Sequence, residues 1–291
     1  MSSQTVIEPA RNSGIWELFE GNEEKQSIKI RGVPNGTRII VVGDAQIPLE
    51  DRRLLATIFE DLVPAYAPVK ERGKPAPEYH LFLIGDMVDN FTLSTFLSRV
   101  NPKFTLGDEL NMLKNYLEQW APLFTHKHFA FGNHEDRYER EIYAGNRQFA
   151  RFTRPLHEVL NLEDLGYDWV PYLRHYDFEG FILTHGDSAA KHAAMTMLNN
   201  YMSSGASGHV NRPQLFTWSD AAGGDPATWY TLGMTCRLDI GDIVKDWRRI
   251  QPWMQGIGIG EVVDGVLYFE HVNVHHNAFR AAGKIYRIRE D

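Results

Sequence analysis

The chain has 291 residues, of which 43% are hydrophobic, and its 16 Phe, 12 Tyr and 7 Trp can fill a substantial core; this composition excludes a disordered chain. The formal net charge of −8 weighs against a protein that coats nucleic acid indiscriminately, because such binding needs a basic surface. The single cysteine, Cys236, excludes a disulfide within the chain and any multi-thiolate zinc site.

No apolar run approaches the roughly 20 residues that a membrane-spanning helix needs. The N-terminal sequence MSSQTVIEPARNSG lacks the apolar core of a signal peptide. We therefore expect a cytoplasmic protein with no membrane partner. We interpret residues 1–36 as an N-terminal extension that ends in the turn Pro34-Asn35-Gly36, and residues 37–291 as a single domain.

From Arg38 onward, short apolar runs each end in a turn that contains Gly and a polar side chain. The runs are RIIVVGD (38–44), HLFLIGD (80–86), HFAFGNHE (128–135) and FILTHGD (181–187). Runs of this length and composition are typical of strands that are buried on both faces. Between them, Arg52 to Leu62 and Leu106 to Trp120 have helical spacing. Strands that alternate with helices predict an α/β fold with right-handed crossovers.

The last third of the chain has a different composition. Residues 212–256 are rich in Pro, Gly and Trp, and we interpret them as an irregular insertion packed by its tryptophans. These are Trp218, Trp229, Trp247 and Trp253. The following segment EVVDGVLYFEHVNVHHNAF alternates in polarity and contains Asp264-Gly265, which predicts a hairpin.

Polar side chains follow each of the four predicted strands. In an α/β sheet, ligands bind beyond the carboxyl ends of the strands, so these side chains should converge from distant parts of the sequence. They are Asp44, Asp86, Asn133, His134 and His185. Carboxylate, amide oxygen and imidazole together suit Mn, Fe, Zn or Mg rather than a soft metal held by thiolates. Two such cations, about 3.5–4 Å apart, could share one carboxylate and clamp a phosphate between them.

The motif order GD-x-Q, GDxxD, GNHE, HGD and GHxNR resembles that of the calcineurin-like metallophosphoesterases. GDMVDN at 85–90 and GNHED at 132–136 are the most specific pieces, and the resemblance covers roughly residues 38–213. It implies a four-layer α-β-β-α sandwich of two mixed sheets, with the metal site at the carboxyl ends of the strands. It also implies a hydrolase that cleaves phosphate esters with a hydroxide bridging two divalent metal ions.

The family's metal ligands transfer to this chain by motif position. Asp86 would bridge the two metals. The first metal would also be held by Asp44, Gln46 and Asn211, and the second by Asn133, His185 and His209.

Two further residues match motif positions that have catalytic roles in the family. His134 would lie beside the substrate and protonate the leaving group. Asp89, from GDMVD, would hold the His134 imidazole in orientation.

Gln46 and Asn211 stand where the family usually has histidine, and both fall on the first metal site. Each offers a neutral carbonyl oxygen, which favours harder cations. We therefore expect the first site to keep its metal and the pair to be Mn²⁺ in preference to Mg²⁺, Fe or Zn²⁺. The alternative is a vacant first site in a degenerate relative.

Arginines supply the candidates for substrate binding. Arg212 adjoins Asn211, and Arg137 begins an arginine series that follows His134. Either could contact the phosphate of a phosphorylated small molecule, a nucleotide or a nucleic acid. The plain alternative for the series is a solvated helix face. Together with the Trp-rich insertion, the arginines favour phosphodiesters slightly over monoesters.

Two other functions stay open on the sequence. A Ser/Thr-type phosphoprotein phosphatase carries similar signatures, but GDMVDN has Asn90 and Phe91 in place of the arginine and glycine of those enzymes. A catalytically silent metal-binding scaffold could keep the fold. The intact pair Asn133-His134 speaks against the scaffold, because a scaffold needs no catalytic imidazole.

Overall fold

The computed structural model describes residues 27–93, 104–145, 153–219, 223–239 and 252–290. In these ranges, one sheet has eight strands and another has six. The first sheet contains β2 (Arg38–Val42), β3 (Tyr79–Leu83), β4 (His126–Ala130), β5 (Tyr167–Val170), β11 (Gly256–Val263), β12 (Val266–His275), β13 (Ala278–Ala281) and β14 (Lys284–Arg287). The second sheet contains β1 (Ile28–Ile30), β6 (Tyr176–Phe178), β7 (Phe181–Thr184), β8 (Gly205–Ser207), β9 (Gln214–Trp218) and β10 (Ala227–Thr231).

Both sheets are mixed. The first runs in the order β14-β13-β12-β11-β2-β3-β4-β5, and its strands β2 to β5 are parallel. The C-terminal strands β11 to β14 add an antiparallel half next to β2. The second sheet runs β1-β6-β7-β8-β10-β9, with β7, β8 and β10 parallel.

The helices lie mainly in the crossovers between the parallel strands. Arg52–Ala56 continues through a π-helical stretch, Thr57–Leu62, into Val63–Tyr66, and its first turn is capped by the Asp51 carboxylate. Leu106–Trp120 begins with a capping box of Thr105 and Asp108. The remaining α-helices of the described residues are Asn133–Gly145, Leu156–Val159 and Ala193–Tyr201.

The burial pattern of the strands shows that these elements form four layers. Ile40 and Val42 of β2 pack with residues of the helical segments 52–66 and 106–120 on the outer face of the first sheet. Ile39 and Val41 point the other way and pack against the second sheet. The outer face of the second sheet is covered by Ala193–Tyr201. The prediction of strands buried on both faces, in an α-β-β-α sandwich, is therefore confirmed.

The predicted N-terminal extension takes part in this sandwich. Ile28–Ile30 forms β1 and pairs in parallel with Tyr176–Phe178 at the edge of the second sheet. The folded domain therefore begins at or before Ile28, upstream of the boundary expected at residue 36.

The region expected to be an irregular insertion is irregular only in part. Its residues 214–231 include β9 and β10, which pair as an antiparallel ribbon in the second sheet. Trp229 of β10 is fully buried and stacks on Tyr201, with 5.0 Å between ring centroids. Trp253 packs against a small cluster around Cys236, whereas Trp218 is 49% exposed. Trp247 lies outside the described residues.

The predicted C-terminal hairpin is present. β11 and β12 pair across a turn in which Asp264 and Gly265 both have positive φ, at 52° and 77°. Such a turn matches the twist of the two strands, and Asp-Gly is a preferred sequence for it. None of the helices in the described ranges is long and apolar enough to cross a membrane.

Candidate metal centre

The parallel strands place the predicted ligands at one edge of the sandwich. Asp44, Asp86 and Asn133 follow the adjacent strands β2, β3 and β4 of the first sheet. His185 and His209 follow the adjacent strands β7 and β8 of the second. Because the two sheets are stacked, the strand ends from both meet over the space between them.

Four of these side chains converge on one point. The Nε2 atom of His185 lies 3.0 Å from Asn133 Oδ1 and 3.3 Å from Asp86 Oδ2. The Nδ1 atom of His209 lies 2.8 Å from Asn133 Oδ1 and 3.2 Å from His185 Nε2. The other ring nitrogen of His185 contacts the main-chain oxygen of Ile84 at 2.9 Å, which fixes the orientation of the imidazole. These are the residues expected around the second metal.

The residues expected around the first metal lie beside this cluster. The Asp44 carboxylate accepts the main-chain N–H of His209 at 3.1 Å through both oxygens. Asn211 is buried, and its Oδ1 atom has no hydrogen-bond partner within the described ranges. Gln46 is half-buried, and its main-chain N–H donates to Asp86 O at 2.9 Å. An orphaned buried amide oxygen is a costly feature that a cation would relieve.

The backbone at the site is held in a sparsely populated conformation. Five of the seven predicted ligands have positive φ between 49° and 71°, a range uncommon for residues other than glycine. They are Asp44, Gln46, Asp86, His209 and Asn211. Strained residues of this kind cluster at functional sites, because the surrounding structure holds them in place for a reason other than stability.

Two glycines of the motifs make room for the carboxylates. A Cβ atom on Gly132 would collide with the Asp86 carboxylate, and one on Gly208 would collide with that of Asp44. The GNHE and GHxN motifs therefore need glycine at these two positions for the strand ends to approach each other.

The buried carboxylates and imidazoles of the cluster shift each other's pKa values. Burial raises the pKa of Asp44 to about 7, and the nearby charge of Asp86 adds to this. Burial opposes the charged form of His185, but the charge of Asp86 raises its pKa to about 9. For Asp86, burial is outweighed by His134 and His185, which hold its pKa well below the ordinary value. A divalent cation would replace the proton on His185 and compensate both carboxylates.

The donor set therefore fits a divalent metal. One ligand atom from each of Asp86, His185 and His209 lies within 4.8 Å of the others. Carboxylate oxygens, amide oxygens and imidazole nitrogens are ligands of Mn, Fe, Zn and Mg. The geometry brings together candidate ligands from Asp86, Asn133, His185 and His209, and the oxygen donors of Asp44 and Asn211 lie beside them.

The His134 imidazole adjoins this cluster. Its Nδ1 atom lies 2.8 Å from the main-chain oxygen of Asp89 and 3.0 Å from the Asp89 carboxylate. Its Nε2 atom lies 3.7 Å from Asp86 Oδ2. Burial disfavours the imidazolium, but the charge of Asp86 and the hydrogen bond to Asp89 raise the pKa of His134 to about 9. The contacts of Nδ1 thus hold the His134 imidazole with Nε2 facing the centre.

The two arginines predicted to bind substrate contact main-chain oxygens. Arg137 donates to Asp89 O at 3.0 Å, so it supports the loop that orients His134. Arg212 donates to Ala190 O at 2.8 Å.

Glu135, which is not among the predicted site residues, connects two loops of the site. Its carboxylate is fully buried and accepts four main-chain N–H groups. The donors are Asp86 and Gly132, each at 2.8 Å to Oε2, and Met87 and Val88, at 2.8 and 3.2 Å to Oε1. One side chain therefore joins the GDxxD loop to the GNHE loop. Its place in the GNHE motif was the available signal.

Comparisons with known proteins agree with the arrangement of the site. A family model described as calcineurin-like phosphoesterase matches residues 37–229. The comparison with curated proteins gives no match.

Two solved structures resemble the chain at low sequence identity. Vacuolar Protein Sorting 29 from Cryptosporidium parvum is 10% identical, with a TM-score of 0.39 over 82% of this chain and 98% of that one. Wild-type Vps29 complexed with Zn²⁺ from Entamoeba histolytica is 7% identical, with a TM-score of 0.39 over 87% of this chain and all of that one. The family match spans about two thirds of the sequence and includes every motif residue of the centre, and the chain belongs to the calcineurin-like phosphoesterase family.

Proposed function

We propose that this protein is a metal-dependent phosphoesterase that hydrolyses phosphodiesters in preference to monoesters. The observation that carries the proposal is the position of an oriented imidazole, His134, beside a convergent set of metal ligands. A scaffold that only binds metal has no need of an imidazole held by a carboxylate in this position.

We assign the metal ligands as follows. Asp86 would contribute to both cation positions, and Mn²⁺ would be the favoured metal because amide oxygens replace imidazoles at one position. The first position would be held by Asp44, Gln46 and Asn211, and the second by Asn133, His185 and His209. When bound, such cations supply Lewis acidity, which acidifies water and offsets the charge of the phosphate.

The protein's own contribution is proton transfer to the leaving group. His134 donates the Nε2 proton to the leaving oxygen, and Asp89 holds Nδ1 so that the ring keeps its orientation. Compensation of the Asp86 charge would bring the pKa of His134 down from about 9 towards its ordinary value near 6.5. An imidazole in that range suits a general acid at neutral pH.

The charge around the centre supports a diester substrate. Arg137 and Arg212 both donate to main-chain oxygens. Those oxygens are neutral, so both arginines keep their charge and stay candidates for contact with the single negative charge of a diester. A diester carries one negative charge at neutral pH, whereas a monoester approaches two, so a diester needs less compensation. Nucleotides and nucleic acids are the phosphodiester class that we propose.

Turnover of two chromogenic substrates tests the proposal. We expect bis-p-nitrophenyl phosphate to be cleaved faster than p-nitrophenyl phosphate with Mn²⁺ present. His134→Ala should lower kcat on the diester by about 10²–10⁴-fold, as expected for loss of a general acid, with the Mn²⁺ content unchanged. Asp86→Asn should lower both activity and bound Mn²⁺. The control is His275→Ala, an exposed histidine outside the centre.

Each alternative has its own outcome. Faster cleavage of the monoester would overturn the diester preference, and cleavage of phosphopeptides alone would point to a phosphoprotein phosphatase. If no ester is cleaved with Mn²⁺, Mg²⁺, Zn²⁺ or Fe²⁺, the protein is a metal-binding scaffold and the proposed activity is wrong.

A further inference from the structure

A second cluster of metal-ligand side chains lies at the other end of the first sheet. His80 of β3 and His126 of β4 are direct partners across the parallel pair, so their side chains project from the same face. Their rings stack with centroids 4.6 Å apart. Glu78, just before β3, closes the group: its Oε2 lies 2.9 Å from His80 Nε2 and 3.6 Å from His126 Nε2. All three potential ligand atoms lie within 4.8 Å of one another.

This cluster is separate from the family's metal centre. His80 is near the start of β3 and His126 is the first residue of β4, whereas Asp86 and Asn133 follow the carboxyl ends of the same two strands. The length of the strands therefore separates the two clusters.

His80 is oriented by a second histidine behind it. Its Nδ1 atom lies 3.0 Å from Nε2 of His128, and both imidazoles are buried. The Nδ1 atom of His128 has no hydrogen-bond partner within the described residues, although Asp168 Oδ2 lies 3.7 Å away. Ligating histidines usually donate their second ring N–H to such an outer partner.

The ring nitrogens of His80 and His128 that carry protons differ between the metal-free and the metal-bound state of the cluster. If His80 carries its proton on Nε2 and donates it to Glu78, then His128 must donate from Nε2. The bare Nδ1 of His128 then faces the Asp168 carboxylate. If His80 Nε2 is instead a bare metal ligand, its Nδ1–H donates to His128, and the Nδ1–H of His128 points towards Asp168. The metal-bound state therefore suits both ring nitrogens of His80 and both ring nitrogens of His128.

We propose that Glu78, His80 and His126 bind a divalent transition metal of the zinc class, with His128 as the positioning residue for His80. Two imidazoles and one carboxylate are a ligand set that Zn²⁺ accepts with tetrahedral geometry. The His126 side chain is 48% exposed, so the fourth position opens to water. The site would connect the N-terminal ends of β3 and β4 and take no part in phosphoester cleavage.

Zinc titration of the full-length protein tests the proposal. Zn²⁺ can displace Mn²⁺ from the main centre because it binds nitrogen and oxygen ligands more tightly, so the test compares variants. Isothermal titration with Zn²⁺ should show one equivalent more in the wild type than in His126→Ala. Glu78→Gln, which keeps the size of the side chain, should also lose it. The matched control is His275→Ala, an exposed histidine on β12, which should keep the equivalent.

Two further measurements support or overturn the assignment. Crystals grown with Zn²⁺ should give an anomalous peak at the zinc edge between Glu78, His80 and His126. Diester cleavage with Mn²⁺ should be the same in His126→Ala as in the wild type, which separates this proposal from the phosphoesterase activity. An unchanged zinc stoichiometry in both variants, or the absence of that peak, overturns the site.

Discussion

Asn211 has two features that are typical of a metal-binding residue. Its amide oxygen is buried without a partner, although its main-chain oxygen accepts the N–H of Met254 at 3.0 Å. The residue also has a φ of 54°, which asparagine tolerates better than most side chains. A buried amide oxygen with no partner, on a backbone with positive φ, suits a ligand that the protein itself does not supply. We therefore favour occupation of the first metal position over vacancy.

Restoring the family's usual residues at Gln46 and Asn211 should strengthen that position. We expect the double variant Gln46→His with Asn211→His to bind the first metal more tightly, because imidazole is the stronger ligand for Zn²⁺ and Fe²⁺. Histidine is also among the residues that tolerate positive φ, as both positions require. Isothermal titration with Zn²⁺ measures the change. No gain in affinity would mean that these two residues are not ligands.

At the scale of elements, the centre depends on loops that are fastened to one another. The GDxxD loop after β3 and the GNHE loop after β4 share the Glu135 carboxylate. Asn90 of the first loop donates from Nδ2 to His134 O at 2.7 Å in the second. Loops joined by such hydrogen bonds position ligands more accurately than free loops, because the hydrogen bonds restrict the movement of the backbone.

Glu135→Gln should weaken the connection between the GDxxD loop and the GNHE loop. Each carboxylate oxygen accepts two main-chain N–H groups, so the NH₂ group of a glutamine would face two donors whichever way it pointed. We expect the free energy of unfolding to fall by about 1–3 kcal/mol, the cost of buried donors left unpaired. Urea denaturation measures the loss. Glu141→Gln, an exposed residue on the same helix, is the control and should change stability little.

The helix Leu106–Trp120 carries a buried acid whose titration should appear in the stability. Burial raises the pKa of Glu109 from 4.5 to about 7, and the charge of Asp89 adds to the shift. The folded state therefore binds this proton more tightly than the unfolded state, so the contribution of Glu109 to stability is lost as the pH rises from about 4.5 to 7.

Glu109→Gln should remove the loss of stability that accompanies ionisation of Glu109. We expect the variant to gain stability relative to the wild type between pH 5 and pH 8, by up to about 3 kcal/mol. Urea denaturation of both proteins across this range gives the difference, in which groups common to the two cancel. A difference that is constant with pH would contradict the raised pKa.

For the whole molecule, the predicted metal ligands come from both sheets, which also meet through an apolar core and the Tyr176 hydroxyl. Asp44, Asp86 and Asn133 come from the first sheet, and His185 and His209 from the second. Cations held by residues of both sheets would bind only the folded chain. Their removal should therefore affect global stability as well as activity.

Mn²⁺ should stabilise the protein against unfolding. At a free concentration of 100 times Kd, we expect about 2.7 kcal/mol, and a chelator should reverse the gain. Chemical denaturation with Mn²⁺ and with EDTA measures the difference. Asp86→Asn serves as the matched variant and should lose most of the response. Equal gains in Asp86→Asn and the wild type would place the bound Mn²⁺ elsewhere.

The sequence by itself determined the elements and their chemistry. Apolar runs that end in GD, GNHE and HGD predicted the strands β2, β3, β4 and β7, because doubly buried strands need continuous apolar residues. Asp264-Gly265 predicted the C-terminal hairpin by the φ values that such a turn requires. The motif order identified the family, and with it the types of ligand at the strand ends.

Only the tertiary structure decided which residues meet. Pairing of Ile28–Ile30 with β6 and of β9 with β10 depends on partners distant in sequence, and short strands carry little local signal. The four hydrogen bonds to Glu135 and the group of Glu78, His80 and His126 likewise arise from neighbouring strands and loops. Local spacing indicates the chemistry that a residue can perform, but the fold sets the distances over which that chemistry acts.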